Sequence, residues 1–368
     1  MFRSVKARFA LVTAIVLVEF AVLEAGLRVY GAFEGTSTFQ SLFMDDPQVG
    51  IRLRPGARIR YATVEFTTDI AVNGQGVRDD EPIGPKMPNE RRILVLGDSL
   101  VLAVQVAQAD TFCERLERRL NARGGSERWR VINGGVQGYG PVQDWFFFDK
   151  IGAAFDPDLV LIAAYVGNDA IEAAETVAAL DAGRPLEAEQ PNVRRLRRLV
   201  RASVVLQSAR VRWDQLRSRI TTGTPELPLA TYLAEPPPIL AEGLDVTRRA
   251  FGLISARAQA IGARTAIAVM PARFQINDVD FENLNKTVRE AGGVLVRHSG
   301  SDRFREALRP LGLPIVDLQP GLARQPNPTG VFFQRTAHLT PRGHEAVATA
   351  LLEFLDTGGL VSPAAVAR

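Results

Sequence analysis

The sequence predicts an α/β protein: a three-layer α/β/α domain around a parallel sheet of roughly five strands. Two observations predict it. From residue 92 onward, short apolar stretches alternate with longer stretches of helical spacing, the rhythm of a parallel sheet covered on both faces. The apolar stretches are also unbroken rather than alternating apolar with polar, as strands buried on both sides must be. At 368 residues, the chain is long enough for one large domain with additions, or for two domains.

The elements follow in order. Arg3, Lys6 and Arg8 precede an apolar run over 9–18 that only Thr13 interrupts, and the apolar character continues to residue 33 across Glu19, Glu24 and Arg28. No small-x-small cleavage pattern follows the run. Residues 1–33 therefore read as a single-pass transmembrane anchor in the inner membrane rather than a cleaved signal peptide. The basic flank puts the body on the periplasmic, extracytoplasmic side. Residues 34–90 are rich in Gly, Pro and charge, with an alternating run over 59–66 and a turn at Asn73-Gly74-Gln75-Gly76. They read as a small β-containing connecting segment. Strands are expected over 93–96, 129–132, 159–165, 265–270 and 315–318. Helices are expected over 111–121, 142–154, 244–261, 283–291 and 345–355, with helical spacing already from 101. Residues 172–240 break the rhythm with an arginine-rich amphipathic stretch and a proline-rich one. They read as a mostly helical insertion in a main domain spanning 91–358, and 359–368 as a tail.

Composition narrows the function. The net charge of +3 comes without a basic stripe interleaved with aromatics, so nucleic acid is not an expected partner. The one cysteine, Cys113, excludes an intrachain disulfide and any multi-cysteine metal site, and reads as a small core residue. No metal or organic cofactor is implied. Three histidines, His298, His338 and His344, are the whole supply of imidazole bases.

The chemistry-bearing stretch is Ile93-Leu94-Val95-Leu96-Gly97-Asp98-Ser99-Leu100, a buried strand running into a tight turn that presents a serine. A serine between a strand's carboxyl end and a helix's amino end lies where open α/β sheets bind ligands, beside unpaired N–H groups. Asn133-Gly134-Gly135-Val136-Gln137-Gly138-Tyr139-Gly140 follows the second strand, with four glycines in seven residues, so backbone N–H groups can approach a ligand closely. Gly167-Asn168-Asp169 follows the third and supplies a side-chain amide. His338 precedes the final helix, whose cap and first turn suit Thr340 and Pro341. His344 falls within that helix and reads as a packing residue, and His298 sits in a surface-type loop.

Together these four blocks resemble those of the SGNH hydrolases, the GDSL esterase/lipase family, in their membrane-anchored bacterial envelope form. The resemblance spans roughly 90–358 and implies a flavodoxin-like α/β/α fold. It implies Ser99 as nucleophile, His338 as base, and an oxyanion hole made by the Ser99 and Gly138 N–H groups and the Asn168 amide. One departure stands out. Three residues before the histidine, where the family has an orienting aspartate, this chain has Arg335. A cation there cannot accept from imidazole and disfavours imidazolium. Three readings stay open: a Ser–His dyad with a backbone carbonyl orienting the ring, a substitute acid with Asp317 as first candidate, or loss of hydrolysis with retention of binding. The expected function is a serine esterase acting on acyl or acetyl esters, with an envelope glycan or lipid as the possible substrate. The alternatives are an O-acyltransferase of the same fold and a non-catalytic envelope binding module.

Overall fold

The computed structural model describes residues 5–33, 39–47, 49–63, 65–183, 203, 205–206 and 227–361. Most of the expected insertion lies outside the described residues, as do residues 362–368 of the expected tail.

Four short strands come first. β1 (Phe43–Asp46) pairs antiparallel with β2 (Gly50–Leu53), and β3 (Arg58–Ala62) with β4 (Thr67–Ala71). Isolated two-stranded ribbons are marginal in water. These bury Leu42, Leu53, Ile59 and Ile70 in the same hydrophobic cluster as the main sheet. The connecting segment is thus packed into the domain.

The sheet consists of β5 (Glu90–Gly97), β6 (Arg128–Asn133), β7 (Leu159–Tyr165), β8 (Arg264–Met270) and β9 (Ile315–Asp317). All neighbours are parallel, in the order β6-β5-β7-β8-β9. Alternating strand residues feed two cores. Leu94, Leu96, Val160, Ile162 and Ile267 pack with Phe147, Phe148 and Phe251 on one face. Ile93, Val95, Leu159, Leu161 and Ala266 pack with Phe112, Leu116, Val347 and Leu351 on the other. Helices Pro141–Lys150, Asp169–Asp181 and Ile239–Ala260 cover the first face, and Phe112–Asn121 and Pro341–Thr357 the second. Cys113 is buried in the second core. The unbroken apolar runs of β5, β7 and β8 serve both cores, whereas β6, at the sheet edge, alternates at Trp129-Arg130-Val131.

One expectation is corrected. The helical spacing from 101 to 120 is not one helix. Ser99–Leu102 is a single turn ended by Ala103 at φ 56°, and Phe112–Asn121 starts anew with Thr111 as its cap. The intervening loop is held by carbonyl contacts from Thr68 and Arg78. The N-terminal segment forms a helix, Val5–Phe33. Glu19, Glu24 and Arg28 interrupt its apolar sequence, and among the described residues no helix is long and apolar enough to cross a membrane. Its Glu24 accepts hydrogen bonds from the Ser203 hydroxyl (2.7 Å) and the Val205 amide (3.1 Å), two of the few described positions of the insertion.

Candidate active site

The site lies at the carboxyl ends of β5, β6 and β7. The chain leaves β5 for β6 on one side and returns for β7 on the other, so the loops diverge and open a crevice. Two glycines make the approach possible. Gly97 sits at φ 148°, and a Cβ there would lie 2.7 Å from Val101 Cγ2 and 2.9 Å from the Ala163 carbonyl oxygen. A Cβ on Gly135 would lie 2.6 Å from Val101 Cβ. The turn after β5 and the loop after β6 are therefore in backbone contact. Asn133 ties them: its amide donates to the Val101 carbonyl at 2.7 Å, and its oxygen accepts from Gly135 N–H at 3.1 Å.

Asp98 caps the turn at Ser99–Leu102 by accepting from the Leu100 amide at 2.8 Å. Ser99 Oγ then lies 2.9 Å from His338 Nε2. The two residues are 239 positions apart. His338 sits just before helix Pro341–Thr357, whose cap Thr340 accepts from Gly343 N–H. Its Nδ1 lies 2.7 Å from the Thr336 carbonyl oxygen. A carbonyl only accepts, so Nδ1 carries the proton and Nε2 presents its lone pair to the serine hydroxyl. Burial pushes the His338 pKa down, and the Thr336 carbonyl pulls it up. The imidazole thus rests neutral, the form a base needs.

Arg335 is exposed, and its backbone amide, not its guanidinium, points inward, donating to Glu65 Oε1 at 2.9 Å. Asp317 lies at the end of β9, where its Oδ1 accepts from Gln319 N–H at 2.9 Å and burial raises its pKa. The group on His338 Nδ1 is the Thr336 carbonyl rather than Asp317. His344 is 1 % exposed and stacks on Phe112, whose amide donates to its Nδ1 at 3.2 Å. His298 is exposed, at the start of helix Ser299–Leu308.

Asn168 begins helix Asp169–Asp181 from the end of β7, and its amide donates to Glu172 Oε1 at 2.6 Å. Gly138 sits at φ 74° with open space on its Cβ side. Beneath this rim, burial raises the pKa of Asp98, Asp144 and Asp169, and takes Glu172 up to about 7. Carboxyls crowded out of water beside one another favour their neutral forms. Sequence reasoning did not single out Glu172 or Asp144, and it left open a backbone carbonyl on the imidazole without naming that of Thr336. Glu172 follows Asn168 by one helical turn, the spacing at which two side chains meet. A backbone carbonyl leaves no mark in the sequence.

Beside the pair, a cleft of about 510 Å³ opens between Gly167 and Ala337, the chain neighbours of Asn168 and His338. Phe274, Leu284, Arg273 and Asn283 line it. A larger cavity of about 640 Å³ lies at the starts of β5 and β6, among Asp79, Glu117 and Arg130, away from Ser99. Among the described residues no cluster of side chains is arranged to hold a metal ion.

Residues 233–364 match the model of the family described as an SGNH hydrolase-like domain, acetyltransferase AlgX. The stretch that holds His338 is thus similar to an SGNH hydrolase-like domain. Among solved structures it is similar to TesA, at 13 % identity and TM-score 0.40 over 73 % of this chain and 99 % of that one. It is similar to a lipase/acylhydrolase from Enterococcus faecalis, at 14 % identity and TM-score 0.41 over 73 % and 96 %. A third is Axe2, an acetyl xylan esterase from Geobacillus stearothermophilus, at 13 % identity and TM-score 0.39 over 72 % and 94 %. Likenesses this distant say nothing of substrate. Among curated proteins none matches the sequence.

Proposed function

We propose that this SGNH hydrolase-like domain cleaves carboxylic esters, acyl or acetyl, through an acyl-enzyme on Ser99. The observation that carries the reading is the 2.9 Å approach of Ser99 Oγ to His338 Nε2, with the Thr336 carbonyl fixing the tautomer. Ser99 Oγ attacks the ester carbonyl carbon as its proton passes to Nε2. The oxyanion is held by the Ser99 and Gly138 N–H groups and the second Asn168 amide hydrogen. The tetrahedral intermediate collapses by breaking the bond to the alcohol oxygen, which takes the proton back from Nε2. Water then repeats the sequence on the acyl-serine and regenerates the hydroxyl.

A neutral carbonyl stabilises imidazolium less than a carboxylate does, since charge-assisted hydrogen bonds are about twice as strong. It does hold the tautomer that catalysis needs, and a wrong tautomer costs about 10⁴-fold in a serine protease triad. The expected enzyme is therefore slower than one with a full triad, but active.

A second reading is favoured by the family description, which names an acetyltransferase. A sugar hydroxyl of an envelope glycan would then replace water in the second half. A fluorophosphonate probe that labels wild type but not Ser99→Ala supports the nucleophile. Product analysis with p-nitrophenyl acetate, with and without an added glycan, separates the two acceptors. An unlabelled wild-type protein defeats both readings.

We further propose that the N-terminal helix seats the chain in a membrane with the body on the periplasmic side. The support is its outward-facing Leu11, Val12, Ile15, Val16, Val18 and Leu23, together with the basic residues that precede them. Release of the full chain by alkaline carbonate would end that proposal.

A further inference from the structure

A carbonyl orients an imidazole only as well as its own loop is held. Phe332 and Leu339 form an isolated antiparallel bridge, and the Phe333 amide donates to the His338 carbonyl at 2.7 Å. Between them, residues 334–337 form no regular element, and Ala337 is left-handed at φ 53°. Contacts from outside therefore fix where the Thr336 carbonyl points.

Two come from the turn joining β3 to β4, some 270 residues earlier. Glu65 Oε1 accepts from the Arg335 amide at 2.9 Å. The Phe66 ring rests against Phe333, with centroids 5.6 Å apart. The turn is itself braced: Thr63 Oγ1 accepts from the Glu65 and Phe66 amides at 3.1 and 3.2 Å. From the far side, the Arg273 guanidinium donates to the Phe333 carbonyl at 3.1 Å and to that of Gln334.

We propose that the β3–β4 turn, through Glu65 and Phe66, positions the His338 imidazole by fixing the loop whose Thr336 carbonyl holds Nδ1. In this chain the carboxylate that steadies the base acts one step removed, on the backbone amide of Arg335 rather than on the ring. This rests on the Ser99–His338 reading. Glu65 and Phe66 touch neither the reacting atoms nor the ring, so they are positioning residues.

Of the charged and titratable groups on the elements packed about this loop, His344 in the following helix interacts with the His338 imidazole, Asp98 adjoins Ser99, Arg273, paired with Asp280, bonds the loop carbonyls, and Glu65 accepts from the amide of the exposed Arg335. The Thr336 carbonyl raises the imidazole pKa against burial. Loosening the loop therefore lets that pKa fall further.

The test is the rate at which a fluorophosphonate labels Ser99 in the full chain, measured across pH. Glu65→Ala is expected to label about tenfold slower, with the acid limb moved to lower pH. Glu65→Gln keeps an acceptor for the Arg335 amide and is expected to restore both. Phe66→Leu keeps apolar volume and serves if Glu65→Ala does not fold; its expected loss is about threefold, with the limb moved the same way. An acid limb that stays at the wild-type pH in these variants overturns the proposal, whether the rate is unchanged or falls with the melting temperature as a purely structural role would have it. A wild type that does not label at all defeats the underlying nucleophile reading instead.

Discussion

Ser99 and His338 face each other across 2.9 Å, yet the chain around them is built differently. Ser99 follows an eight-residue strand bonded on both sides, and its turn is in backbone contact with the loop after β6. His338 hangs from a loop with one isolated bridge, oriented by a carbonyl and braced by a distant turn. The nucleophile turn adds close backbone packing to its hydrogen bonds, whereas the base loop rests mainly on hydrogen bonds. Excluded volume tolerates no added atom, whereas hydrogen bonds can be traded for others of like geometry.

The largest expected effect tests whether the comparison concerns catalysis at all. Ser99→Ala removes the nucleophile and little volume, so turnover should fall at least about 10³-fold with an unchanged melting temperature. Retained turnover in an esterase assay breaks the comparison. Next comes the packing contrast. Gly97→Ala forces a Cβ against Val101 and Ala163 at a left-handed φ and should cost about 2–4 kcal/mol in denaturant unfolding. Ala337→Gly, on the base side at φ 53°, relieves strain and adds chain entropy, and should change stability by less than about 1 kcal/mol. Equal costs would erase the distinction.

A smaller effect separates the two histidines. Burial takes the His344 pKa down to about 3. A His with a lowered folded-state pKa contributes stability that is present above the unfolded value near 6.5 and lost as pH falls toward 3. The melting advantage of wild type over His344→Gln should therefore shrink between pH 7 and 4, by roughly 5 °C. A constant difference, followed by calorimetry, would place His344 outside the acid transition. Smallest of all is the missing acid. With Nδ1 already held by Thr336, Arg335→Asp should change the esterase rate by less than about threefold, and Asp317→Asn by less than about twofold. A large gain from Arg335→Asp would mean that the carbonyl orients the ring poorly.

What the sequence disclosed follows the same division. Unbroken apolar runs at 93–96 and 159–165 marked the strands because burial on both faces demands them, and the ends shifted by no more than a few residues. Glycine blocks after the strands marked the loops because only glycine fits there. The base side was less legible. Arg335 left three readings open, a backbone carbonyl and a substitute acid such as Asp317 among them; the group on Nδ1 is a main-chain oxygen, and no residue letter encodes which one. The break after Leu102 was hidden too, because helical spacing continues across it. It becomes intelligible only with Arg78, whose buried guanidinium donates to the carbonyls of Leu102, Ala103 and Val106. The packing of the first four strands against the rest of the domain depends on contacts far apart in sequence, which local patterns do not carry.

The chain's sole sulfhydryl, Cys113, lies in the second core, and burial drives its thiol pKa well up. It is therefore shielded from maleimide dyes and spin labels, which react with exposed thiolate. A single cysteine engineered at an outward-facing position of the base loop would be the one handle such reagents find, so that loop can be watched spectroscopically without first stripping the native thiol.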